Sequence, residues 1–164
     1  MCWFIEIGAP SEVELDERRL AVRGGRVQRA PGSPLQGALP AGDVAWSVSA
    51  GGCACGLFAQ ADFAEAEARA RRAYTRRGWS AAKIERAVEA RREDGRLGEP
   101  AGHRAFREFF AEVARSAGRV RLLVHDASDA ADAPRATVTL SLAEYEQRLG
   151  QVPVGAIVVV ERRA

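Results

Sequence analysis

The chain has 164 residues, 47% of them hydrophobic, enough for one domain whose core needs no disulfide or metal support. Lys and Arg number 24 against 22 Asp and Glu, a net charge of +2, which excludes both a charge-driven disordered chain and a uniformly basic nucleic-acid binder. Three cysteines are too few, and odd in number, for a closed disulfide framework, and no apolar run reaches the ~18 residues of a membrane span, so the composition predicts a cytoplasmic protein with no membrane partner.

Taken in chain order, Cys2 to Ile7 is β-branched and aromatic and predicts a buried strand closed by a turn at Gly8-Ala9-Pro10. Ser11-Glu12-Val13-Glu14 has the spacing of a capping box and predicts the start of a short helix. Val13, Leu15, Leu20 and Val22 fit neither period, which leaves a strand pair turning at Gly24-Gly25 open. Residues 24–42 are rich in Gly and Pro and predict a long loop. Val44 to Val48 alternates at period two and predicts a half-buried strand, followed at once by the small-residue stretch Ser49 to Gly56.

Three helices are expected next. The first runs from an N-cap at Asp62 to about Arg77 and stops at Gly78; the second runs from Ser80 to Gly95 with Ile84, Ala87 and Val88 on one face. The third, about His103 to Ala117, carries Phe106, Phe109, Phe110, Val113 and Ala117 as one apolar stripe. Val120 to His125 and Thr137 to Leu140 predict strands. Ser141-Leu142-Ala143-Glu144 predicts a capped helix to about Leu149, and Ala156 to Glu161 predicts a strand covered on both faces. The fold expectation is a single α/β domain: a mixed sheet of four or five strands, covered by a central block of three helices, with a short helix before the last strand.

Cys53-x-Cys55 is the feature most like a site. Gly51, Gly52 and Gly56 surround it, and it lies just past a strand end, where α/β proteins place their sites. If the strand at Cys2 runs antiparallel to Val44–Val48, Cys2 lies beside the Cys53/Cys55 loop; a parallel pairing separates them by a strand's length. His125, at the end of its strand, would complete the Cys3His set of structural zinc, with zinc or copper as the implied metal. Reactive thiols are the second reading of the same three cysteines. The bland reading is that free Cys packs as a small hydrophobe, and the paired C-x-x-C knuckles that make zinc specific are absent.

Residues 69–92 hold most of the local positive charge, with Arg69, Arg72, Arg76, Arg77, Lys83 and Arg86 set beside Trp79. Such a concentration in a balanced chain is the footprint of a surface for nucleic acid or an acidic protein. Arginine carries less weight here than usual. Lys83 is the only lysine and alanine is abundant, the coding preference of a GC-rich, bacterial-type genome, and an Ala-Arg-Glu helix is also a stable solvated one. His125-Asp126 precedes Ser128-Asp129, but neighbours on a strand point to opposite faces, which disfavours a triad. No phosphate-loop, dinucleotide or zinc-protease signature is present, so the sequence leans away from an enzyme. Its first expectation is a small binding or sensing protein with a Cys-rich site; the alternative is a binding module that uses the basic helical pair.

Overall fold

The computed structural model describes residues 2–15, 20–58, 63–93, 99–126, 134, 136–148 and 150–162. Six strands form one mixed sheet: β1 (Trp3–Pro10), β2 (Gly25–Arg29), β3 (Asp43–Ala50), β4 (Arg119–Asp126), β5 (Ala136–Ser141) and β6 (Ala156–Glu161). Their order is β2-β3-β1-β4-β6-β5, every neighbouring pair being antiparallel except β5 and β6. The helices are α1 (Phe63–Arg76), α2 (Ala81–Glu93), α3 (Ala101–Ala117) and α4 (Leu142–Gln147), with one 3-10 turn at Gln36–Ala38. None of them is long and apolar enough to cross a membrane.

The α/β expectation holds, with six strands instead of four or five. The additional strand, β2, lies inside the 24–42 segment expected as a loop. It is an edge strand that pairs only with β3 and tucks Val27 against the core, so five residues of weak pattern suffice to add it to an existing sheet edge. β1 continues through Gly8-Ala9-Pro10, where a turn was expected, because partners on both sides extend it: Ala9 pairs with Val44 and Gly8 with Arg121. Ser11 to Leu15 form a turn rather than a helix, with Ser11 N–H bonded to the Gly42 carbonyl at 2.9 Å and Val13 N–H to that of Pro10 at 2.9 Å. The carbonyl of Gly42 takes the N–H that a capping box would give to the Glu14 side chain.

The core explains the strand patterns. On one face, Ile5, Ile7, Trp46, Leu122, Val124, Val158 and Val160 meet the α3 stripe of Phe106, Phe109, Phe110 and Val113, with Tyr145 of α4 ring to ring against Phe110 at 4.9 Å. On the other face, the 30–42 segment lays Leu35 and Leu39 over Leu123, Ile157 and Val159. β6 is therefore apolar on both faces and reads as a continuous run, whereas β4 is buried on both faces but carries Arg121 and His125 beside Leu123 on the second. Arg121 on this second face is buried against Asp43, Nη1 to Oδ2 at 2.7 Å.

The central helices do not all cover the sheet. α3 does, whereas α1 and α2 pack on each other and bury a cluster of their own, Ala70, Tyr74, Ile84 and Val88. The stripe on each is narrow and the rest is charged, so two short helices satisfy each other as a hairpin. Gly78 at φ 72° turns between them, while the expected ends at Asp62 and Gly95 lie outside the described residues. α4 realises its capping box in full: Ser141 Oγ accepts from Glu144 N–H at 3.2 Å, and the Glu144 carboxylate accepts from Ser141 N–H at 2.7 Å.

Candidate functional site

The antiparallel pairing of β1 with β3, Ile5 opposite Val48, carries the end of β3 to the start of β1. After Ala50 the chain reverses through Gly51 and Gly52, at φ 68° and 103°, angles that a side chain would strain. Ala50 N–H then bonds to the Cys53 carbonyl at 2.8 Å and Ala54 N–H to the Trp3 carbonyl at 3.0 Å. These bonds lay the cysteine loop across the first residues of β1.

The loop is fixed from below. Ala54, Leu57 and Phe58 are buried, and Phe58 meets the Trp3 ring edge-on at 5.5 Å. The N-terminus of α3 presses close enough that Gly102 has no room for a Cβ against the Gly56 carbonyl. Next to it, buried His103 holds the Leu57 carbonyl through Nδ1 at 3.1 Å. Anchored in this way, the loop turns Cys55 outward beside exposed Cys2, with Cys53 half-buried between the loop and the sheet.

With the antiparallel pairing, the alternative left open by the sequence, Cys2, Cys53 and Cys55 lie near enough to influence one another's ionisation. The Cys55 thiolate is held below its ordinary pKa of 9.0, first by the Trp3 backbone N–H and then by the Cys53 thiol, with the Cys2 thiol also donating. The Cys2 thiol is pushed upward, first by the like charge of Cys55 and then by its own hydrogen bond to it. The site thus has one sulfur that ionises early and a neighbour that keeps its proton.

His125 does not join them. Its Nε2 faces Glu6 Oε1 at 3.4 Å and its ring stacks on Phe4 at 5.4 Å, because Phe4 and His125 are register partners across β1 and β4. The Cys3His zinc set is therefore not assembled, and among the described residues no three His, Cys, Asp or Glu side chains are grouped to hold a metal ion. Ser128 and Asp129 lie outside the described residues.

Sequence reasoning passed over Glu6. Its Oε2 accepts from Leu35 N–H at 3.1 Å, tying the 30–42 segment to the sheet, and it sits with His125, Phe4, Gln28 and Ser47 in a cleft of about 410 Å³. The one signal for it was a carboxylate inside an otherwise apolar strand.

The basic residues are spread along the hairpin. Arg71 is bonded to Glu67 and Glu85, and Arg92 to Glu67 and Glu89. Trp79 is half-buried, stacked on Tyr74 at 4.6 Å and 3°, with the Lys83 ammonium 4.2 Å over its ring. Arg69, Arg72, Arg76, Arg77 and Arg86 are exposed. Compared with protein-family models, curated proteins and solved structures, the chain finds no match.

Proposed function

We propose that this is a small thiol-based sensing protein in which Cys55 reacts as the thiolate and Cys2 resolves the product. The observation that carries this reading is the position of Cys55: outward on an anchored loop beside exposed Cys2, in surroundings that hold its thiol below the ordinary value. Donors that favour the charged form raise the fraction of thiolate near neutral pH, and thiolate is the attacking species. Exposure gives an oxidant access.

The chemistry balances with an organic disulfide as oxidant. Cys55 thiolate attacks one sulfur of the disulfide and expels the other half as a thiolate, leaving a mixed disulfide on Cys55. Cys2 then loses its proton and attacks the Cys55 sulfur, expelling the second half and closing a Cys2–Cys55 disulfide. Two electrons pass from the two cysteines to the reagent. A zinc or copper site is the weaker reading, because among the described residues no three ligating side chains are grouped to hold an ion and His125 is committed to Glu6.

The test is reaction with an aromatic disulfide whose released thiolate absorbs visible light. Wild type is expected to release two equivalents in a fast phase and to end with an internal disulfide. Cys2→Ser should stop after one equivalent, with the aryl adduct visible by mass, and Cys55→Ser should lose the fast phase. A fast phase that survives in Cys55→Ser overturns the reading. So does stoichiometric zinc or copper in the purified protein that Cys55→Ser loses.

A further inference from the structure

We propose that the α1–α2 hairpin binds the phosphate backbone of double-stranded nucleic acid through Arg69, Arg72, Arg76, Arg77 and Arg86. Residues 63–93 carry nine basic and five acidic side chains, whereas the whole chain carries a net charge of only +2. Internal pairing is concentrated on two guanidiniums: Arg71 and Arg92 together engage Glu67, Glu85 and Glu89. Among the described residues, no carboxylate is paired with Arg69, Arg72, Arg76, Arg77 or Arg86, all of which face solvent.

Their spacing forms a track. Arg69, Arg72 and Arg76 recur at three and four residues, one side of α1 over a rise of about 10 Å. Ala66, Ala70 and Tyr74 occupy the other side, facing Ile84 and Val88 of α2. Guanidinium groups held in a row on a rigid helix suit the repeating oxygens of a phosphate backbone.

The apolar surface decides the class of partner. Protein interfaces centre on aromatic or aliphatic anchors, and membrane-surface helices insert an apolar face. The hairpin offers neither: among the described residues the one exposed large hydrophobic side chain is Phe4, in the sheet. Interfaces with nucleic acid are polar and strongly positive, as this surface is. Single strands are held by bases stacked on free aromatic rings. Here Tyr74 and Trp79 stack on each other, and Lys83 and Arg91 lie over them at 4.2 and 5.9 Å, so their faces are taken. What remains is contact with a duplex backbone, without base readout.

The experiment titrates the full chain into a fluorescent mixed-sequence DNA duplex and follows anisotropy from 50 to 300 mM salt. Binding is expected at low salt and should be indifferent to sequence. The log–log salt slope should lie at about −3 to −5, given roughly 0.9 per phosphate contact. The variant R69Q/R72Q/R76Q should bind at least tenfold more weakly with a slope shallower by about 2–3, and its thermal midpoint should match wild type because these side chains are exposed. Cys55→Ser should bind as wild type, which separates this inference from the thiol reading. No binding at 50 mM salt, salt-independent binding, or an unaffected triple variant overturns the proposal. Equal or tighter binding to polyglutamate, to a single-stranded oligonucleotide or to phosphatidylserine vesicles overturns it in favour of that partner.

Discussion

Gly102→Ala tests whether α3 truly supports the cysteine loop. A Cβ at this position would lie well inside contact distance of the Gly56 carbonyl oxygen and 3.1 Å from its carbon. Carbon–oxygen contacts settle at about 3.3–3.6 Å, so Gly56 has to retreat by on the order of 1 Å. The obstacle is backbone, which cannot swing aside as a side-chain tip does. Against this, Gly→Ala in a helix is favourable by up to about 1 kcal/mol, while overpacking costs about 1–3 kcal/mol, and the balance is a net loss of about 1–2 kcal/mol.

For a chain of this length each kcal/mol moves the thermal midpoint by about 2–4 °C, so a fall of about 2–8 °C is expected. Gly37→Ala is the control, since a Cβ there meets nothing within 4 Å and φ is not positive. It should leave the midpoint unchanged or raise it by about 1–4 °C, through the less flexible unfolded chain. Calorimetry reads both. The displaced Gly56 is bonded to Cys55, so the fast thiol phase of Gly102→Ala should also slow. If Gly102→Ala raises the midpoint as Gly37→Ala does and keeps the thiol rate, the loop does not rest on α3.

Four further outcomes are expected. Glu6→Ala leaves the Leu35 N–H without its acceptor, costs about 1–3 kcal/mol and opens residues 30–42 to protease; Glu6→Gln, which keeps an acceptor oxygen, should be milder, and unchanged cleavage in both would refute the tie. Val88→Ala, in the small hairpin cluster, should cost about 1–3 kcal/mol and speed amide exchange in 63–93 but not in β4 or β6. Hydrogen bonds from Arg92 first and Arg71 second hold the Glu67 carboxyl below its ordinary 4.5, so its support of the hairpin is complete above about that pH and is lost as pH falls through the lower folded value; amide protection in 63–93, corrected for intrinsic exchange, should fall between pH 6 and 3, and Glu67→Gln should shrink that fall to the part Glu85 contributes. The rate of Cys55 alkylation should titrate with a midpoint below 9.0, because its donors favour the thiolate; a midpoint at or above 9.0 in the folded protein would count against them.

How much of this was legible depended on the range of the interaction. The α3 stripe, the Ser141 capping box and the apolar run of β6 were readable because each is a local pattern that agrees with the packing later imposed on it. The Ser11 box has the same local signal, but the Gly42 carbonyl, 31 residues away in sequence, takes the Ser11 N–H that the Glu14 side chain of a capping box would accept, and the described residues through Leu15 form a turn. Gly8-Ala9-Pro10 reads as a stop until strands on both sides claim it.

The site divides in the same way. By itself the sequence determined that three cysteines existed in small-residue surroundings, that positive charge concentrated in 69–92, and that one strand pairing would decide whether Cys2 met Cys53 and Cys55. The tertiary structure alone decided the rest: β1 runs antiparallel to β3 and the thiols meet, while His125 pairs across the sheet with Glu6, 119 residues distant. The hairpin's charge was visible in composition, but which arginines are spent on Glu67, Glu85 and Glu89 and which stay open follows from how two helices face each other. Backbone propensity and side-chain period act over a few residues; pairing, burial and ionisation are set by neighbours that only the folded chain supplies.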